Sequence, residues 1–107
     1  MSIRRERVSG LLSRAAADFF RMEVGKQSLV TVTNCYISPD LRQGTVFISV
    51  LPESEEEAVL RFALRKRTEL RNYVRSKTRL KVVPFLDVEI DKGEKNRQRI
   101  DTLLDEA

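Results

Sequence analysis

The chain has 107 residues, 20 Lys plus Arg against 16 Asp plus Glu, 41% hydrophobic residues, one cysteine, and neither histidine nor tryptophan. That length suits one domain with its own core, and the inventory excludes an intramolecular disulfide, a thiolate zinc cluster and any triad built on histidine. No apolar run approaches the roughly 20 residues of a membrane span, and the Arg-rich start lacks the apolar core of a signal peptide, so a soluble cytoplasmic protein is expected.

From Ile3 to Glu23, apolar Val8, Leu11, Leu12, Ala15, Phe19 and Met22 recur at three-and-four spacing without an interrupting proline, which predicts an amphipathic helix. Arg4, Arg5, Arg7, Arg14 and Arg21 fall mostly off that stripe, and Gly25 is placed to end the helix with a left-handed residue. Leu29 to Ile37 (LVTVTNCYI) is rich in β-branched and aromatic residues and runs into the turn formers Pro39 and Asp40, a strand and then a turn. Thr45 to Leu51 (TVFISVL) repeats the pattern after a loop of hairpin length, so the two strands should pair antiparallel. Cys35, in the first strand, reads as a small buried residue rather than a reactive thiol.

Beyond Pro52, Ser54 and Glu57 have capping-box spacing, and Glu55 and Glu56 sit where a helix dipole favours acids. The helix starting there passes Ala58, Val59, Phe62 and Ala63 into LRKRTELRNYVRSK, where Thr68 offers a fresh N-cap. One long helix and a kinked pair both fit. Leu70, Tyr73 and Val74 supply its buried side, while Arg67, Arg71 and Arg75 repeat every four residues and should face together. Leu80 to Asp91 reads as a third strand with Pro84 near its start, in which Leu86, Val88 and Ile90 alternate with Asp87, Glu89 and Asp91. In residues 93–107, Gly93 acts as a breaker and Ile100, Leu103 and Leu104 predict a short final helix or tail. No repeat or linker divides the chain, so residues 1–107 are read as a single domain.

This order describes an α+β layer structure, helix, strand, strand, helix with a possible kink, strand, helix, in which helices cover one face of a three-stranded mixed sheet. Two helices meeting at a basic corner is the arrangement of KH-type RNA-binding domains. Four passages resemble the bacterial ribosome-binding factor A family: RRERVSGLLSRAAADFF from Arg4, VTVTNCYISPDLRQGTVFISVL from Val30, ELRNYV from Glu69 and RLKVVPFLDVEIDKGEKNRQRIDTLL from Arg79. The second and fourth are the specific ones, and the match in order and spacing covers nearly the whole chain. The resemblance implies a KH-like (type II) domain that binds the small (30S) ribosomal subunit, contacts its 16S rRNA and assists late maturation, most visibly in the cold. Action by binding rather than catalysis, no cofactor, no small-molecule substrate, no membrane, and a monomer when free are expected. Where that family marks its kink with alanine, any residue, glycine, this chain has Lys66-Arg67-Thr68, and no glycine lies between Gly44 and Gly93. The GXXG loop of ordinary KH domains is absent too, so RNA contact should depend on the charged helical face.

That face is visible in the charge distribution. Residues 60–85 carry Arg61, Arg65, Lys66, Arg67, Arg71, Arg75, Lys77, Arg79 and Lys81 against the single acid Glu69. Cations without interleaved acids repel one another and are poor design for solubility alone, so they read as a phosphate-contacting surface. Arg71 and Arg75 are the leading candidates, because a guanidinium on a rigid helix grips phosphate in a bidentate way. Arg4, Arg5 and Arg7 either extend that surface or form a mobile arm. Phe19, Phe20, Phe47, Phe62 and Phe85 mostly fall at core positions by period, while Tyr36 and Tyr73 stay open as stacking residues. Asp87, Glu89 and Asp91 lie in one alternating row without ligands converging from another element, which reads as a solvated strand face and not a metal site. A different class of reading, an adaptor binding an acidic protein through the same basic helix, uses the same residues.

Overall fold

The computed structural model describes residues 3–93. Helix α1 (Ile3–Glu23) is followed by β1 (Leu29–Ile37), β2 (Gln43–Leu51), a 3-10 turn (Glu53–Glu55), α2 (Glu56–Arg65), α3 (Arg67–Lys77) and β3 (Phe85–Ile90). The final helix expected within residues 93–107 falls, from residue 94 on, outside the described residues.

The strands lie in the order β1-β2-β3, with β2 antiparallel to β1 and parallel to β3. A hairpin explains the first pairing, and the helical crossover through α2 and α3 permits the second. Alternation then sorts the side chains onto two faces. Cys35, Val46 and Val88 form one row of partners, and Ile37, Gly44 and Leu86 the next, all buried. The interleaved rows, Tyr36 with Thr45 and Asp87, and Asn34 with Phe47 and Glu89, belong to the opposite face. A bulge between Val32 and Asn34 adds a residue to β1, so that Val30 and Val32 before it and Cys35 and Ile37 after it reach the same core.

Helices cover the inner face. Val8, Leu12, Ala15, Ala16, Phe19 and Phe20 of α1, Val59 and Ala63 of α2, and Leu70 and Val74 of α3 join the inner strand residues in one apolar cluster. Gly44 lets these layers approach closely: a Cβ there would stand 3.1 Å from Ile37 Cδ1 and 3.4 Å from Leu12 Cδ2, so those side-chain ends would have to shift by a few tenths of an ångström. Among the described residues no charged or polar side chain is buried, so the chemistry of this region belongs to its surface.

Several local expectations are corrected. The capping box does not form: Glu53–Glu55 make a 3-10 turn, α2 begins at Glu56, and no side-chain cap bonds its first turn. Gly25 has no positive φ; the left-handed residue is Leu41, φ 62°, inside the hairpin loop. The break between α2 and α3 falls at Lys66, not at a Thr68 cap. Lys66 adopts φ −98° and ψ 12°, its N–H is shared between the carbonyls of Phe62 and Ala63, and its own carbonyl accepts the Leu70 N–H. That bridge conformation is open to any L-residue, which is why the corner forms without glycine. Strand β3 begins at Phe85 rather than Leu80. Phe47 and Phe62 are only half-buried, and Phe85, expected in the core, is 68% exposed.

Candidate nucleic-acid interface

Helix α3 carries three arginines at four-residue spacing, and they have three different partners. Arg71 turns back onto the chain leading into β3. Its Nε and Nη2 donate to the Val83 carbonyl at 3.1 and 2.9 Å, Nε also approaches the Pro84 carbonyl at 3.3 Å, and its guanidinium lies 4.3 Å from the centre of the Phe85 ring. Arg67 donates from Nε to the Leu64 carbonyl at 3.0 Å and stands 3.4 Å from an Asp87 oxygen. Among the described residues Arg75 reaches only the side-chain oxygen of Asn72, at 3.1 Å. The stripe expected to face together is therefore divided: Arg71 holds the fold, Arg67 links α3 to β3, and Arg75 stays at the surface.

The other cations of this region divide in the same way. Arg61 pairs with Glu57 at 3.7 Å and Lys66 with Glu69 at 3.1 Å. Exposed pairs of this kind neutralise charge locally and add little stability. Among the described residues, Arg65, Arg75, Lys77, Arg79 and Lys81 have no carboxylate partner, and all five are exposed. Lys77 lies over the Tyr73 ring at 5.7 Å, which leaves its ammonium at the rim of the helix. This set is what remains of the basic segment without a local counter-charge.

On α1, Arg4 and Arg7 are exposed. Arg5 is engaged with β1: its Nε and Nη2 donate to the Ile37 carbonyl at 3.1 and 2.6 Å, and its guanidinium stands 5.8 Å from the Tyr36 ring centre. Ser9 Oγ donates to the Cys35 carbonyl at 2.9 Å. The Cys35 thiol is buried and desolvation pushes its pKa up to about 12, so at neutral pH it is a protonated packing group. Asp87 faces Arg67, Asp91 accepts from Thr33 Oγ1 at 2.5 Å, and Glu89 is exposed. Among the described residues no group of three or more His, Cys, Asp or Glu side chains is arranged to hold a metal ion.

The ribosome-binding factor A family model matches residues 4–104. The chain belongs to the ribosome-binding factor A family. Ribosome-binding factor A of Coxiella burnetii, strain Dugway 5J108-111, is 36% identical over 110 residues, spanning 100% of this chain and 92% of that protein. The crystal structure of ribosome-binding factor A from Thermus thermophilus superposes with a TM-score of 0.71 at 23% identity, covering 80% of this chain and 94% of the other. A Thermus thermophilus homology model fitted into the cryo-EM map of a 30S complex with ribosome binding factor A gives a TM-score of 0.69 at 24% identity, over 78% and 91% of the two chains. The fold is the α+β, KH-like one of these ribosome-binding factor A structures.

The sequence pattern located the basic segment but not the partner of each arginine. It also placed Phe85 in the core although a usable signal was present: Phe85 is in phase with Asp87 and Glu89, the exposed side of an alternating strand.

Proposed function

We propose that this chain binds the small ribosomal subunit through its 16S rRNA and assists late maturation of that RNA in the cytoplasm, acting by stoichiometric binding and not by catalysis. Family membership supports the partner. The observation that carries the mechanism is the set of unneutralised cations, Arg65, Arg75, Lys77, Arg79 and Lys81, exposed along and just beyond α3. A surface of this kind displaces counterions from phosphates, so affinity falls steeply with salt. Arg67 and Lys66 contribute once a phosphate competes with their exposed carboxylate partners. Arg4 and Arg7 extend the contact from α1. Arg5 and Arg71 serve it by positioning strand ends and rings.

The test reverses charge at two exposed residues whose contacts stay within α3. Arg75→Glu combined with Lys77→Glu should abolish co-sedimentation with isolated small subunits while the far-ultraviolet circular dichroism stays unchanged. The slope of log affinity for rRNA fragments against log salt should fall by about 1 for each phosphate contact removed. Undiminished binding by the double variant overturns the mechanism, and rRNA binding no stronger than generic polyelectrolyte attraction would favour an acidic protein partner instead.

A further inference from the structure

The face of the sheet turned away from the helices carries two exposed aromatic rings, one on each edge strand. Phe85 opens β3 and is 68% exposed; Tyr36, near the end of β1, is 52% exposed. Their partners on β2 are Gln43 and Thr45. The rings thus stand two strands and one row of side chains apart, about 10 Å across the sheet, with a polar amide and a hydroxyl between them. Each ring has an arginine against it, Arg71 at 4.3 Å and Arg5 at 5.8 Å. Each of these arginines is fixed in turn by hydrogen bonds to main-chain carbonyls. Both rings are held from one side by these fixed arginines and leave their other side open to solvent.

We propose that Phe85 and Tyr36 form a stacking platform for unpaired nucleobases of single-stranded RNA. This rests on the rRNA-binding reading above and assigns to it a second surface, distinct from the cationic strip of α3. A base offers a flat π-face of either sequence type, which suits rings presented without a shaped pocket. Guanidinium groups beside the rings add cation-π attraction and supply positive charge where the neighbouring phosphates run. Arg42, whose carbonyl accepts the Phe85 N–H at 2.8 Å, adds an exposed cation at the same end of the sheet. The acids nearest that end are spoken for or set back: Asp40 is folded into its own turn, Glu89 lies a row farther along with Phe47, and Asp87 lies against Arg67 in the free protein. Neutral bases above the rings, with phosphates toward Arg42, are the occupant this charge pattern accepts.

The natural chain contains no tryptophan, so Phe85→Trp places a unique fluorophore at the platform. Its emission should be quenched by an unstructured RNA oligonucleotide and not by a fully paired duplex, with oligonucleotide affinity held or raised. Phe85→Leu and Tyr36→Leu should each weaken oligonucleotide binding about 10-fold while leaving the salt slope unchanged, because stacking releases no counterions; Tyr36→Phe should bind as the natural protein does. Unchanged affinity in both leucine variants, or equal quenching by duplex, overturns the platform. A loss of binding in the Arg75 and Lys77 reversals alone would leave rRNA binding standing and remove only this surface. Quenching by an apolar peptide but not by RNA would likewise overturn it in favour of a protein ligand.

Discussion

The two edges of the sheet are finished by the same device from unrelated helices. At the β1 edge, α1 sends Arg5 to the Ile37 carbonyl and Ser9 to the Cys35 carbonyl; beside the start of β3, α3 sends Arg71 to Val83 and Pro84. In both places a guanidinium occupies main-chain acceptors and lies against an exposed ring. Main-chain acceptors occupied in this way are not available for pairing with another chain. The difference is in position and closeness. Arg5 holds the last residue of an already long strand and stands 5.8 Å from its ring, whereas Arg71 holds two carbonyls before β3 begins and packs at 4.3 Å. One arginine trims a finished strand, and the other decides where a strand starts.

The largest effect should therefore come from Arg71. Arg71→Ala removes a charge-assisted fork to Val83 and the cover over Phe85, and should destabilise the fold by about 2–3 kcal/mol in urea denaturation. Arg71→Lys should recover less than half of that, because an ammonium cannot make two parallel bonds to one carbonyl. Full recovery with lysine would mean that charge, not the fork, holds the segment. Arg5→Ala should cost less, about 1–2 kcal/mol by the same measurement, since β1 keeps its pairing with β2 along Leu29–Ile37 without it. Equal losses at the two positions would break the distinction between trimming and starting a strand.

These two residues also show why some of the structure was legible in the sequence and some was not. Strand β1 runs from Leu29 to Ile37 as its composition indicates, and α1 follows its apolar stripe, because alternation and helical period are local signals. The start of β3 was not legible: Leu80 and Val82 continue an apolar pattern, yet the chain from 80 to 84 is irregular and bonded to a side chain 12 residues back. The Ser54 cap failed because a 3-10 turn came first, and the helix break fell on Lys66 because its bridge conformation needs no special residue. Arg67, Arg71 and Arg75 share a spacing, and nothing in that spacing tells a fold-holding arginine from a surface one. Only the position of the carbonyls of Val83 and Pro84 does so.

The smallest expected effect lies in the turn that joins the two edges. The loop after Ile37 returns the chain to Arg42, whose carbonyl accepts the Phe85 N–H, so one short turn connects the Tyr36 end of β1 to the first residue of β3. Asp40 fixes that turn: its carboxylate accepts from Ser38 Oγ at 2.6 Å and from the Arg42 N–H at 3.1 Å. The Ser38 hydroxyl foremost, then the Arg42 amide, hold its pKa below the usual aspartate value of 3.8. A carboxyl whose pKa is lowered by folding adds stability once the pH is above its unfolded value, and that contribution disappears as the pH falls through the folded value. Asp40→Asn keeps an acceptor of the same shape without the charge. The variant should be slightly less stable than the natural chain from pH 5 to 8, with the difference closing below about pH 4, where the unfolded carboxyl is protonated. A gap that persisted at the lowest pH would place the effect in turn geometry rather than ionisation, and the turn would then couple the two ring-bearing edges through shape alone.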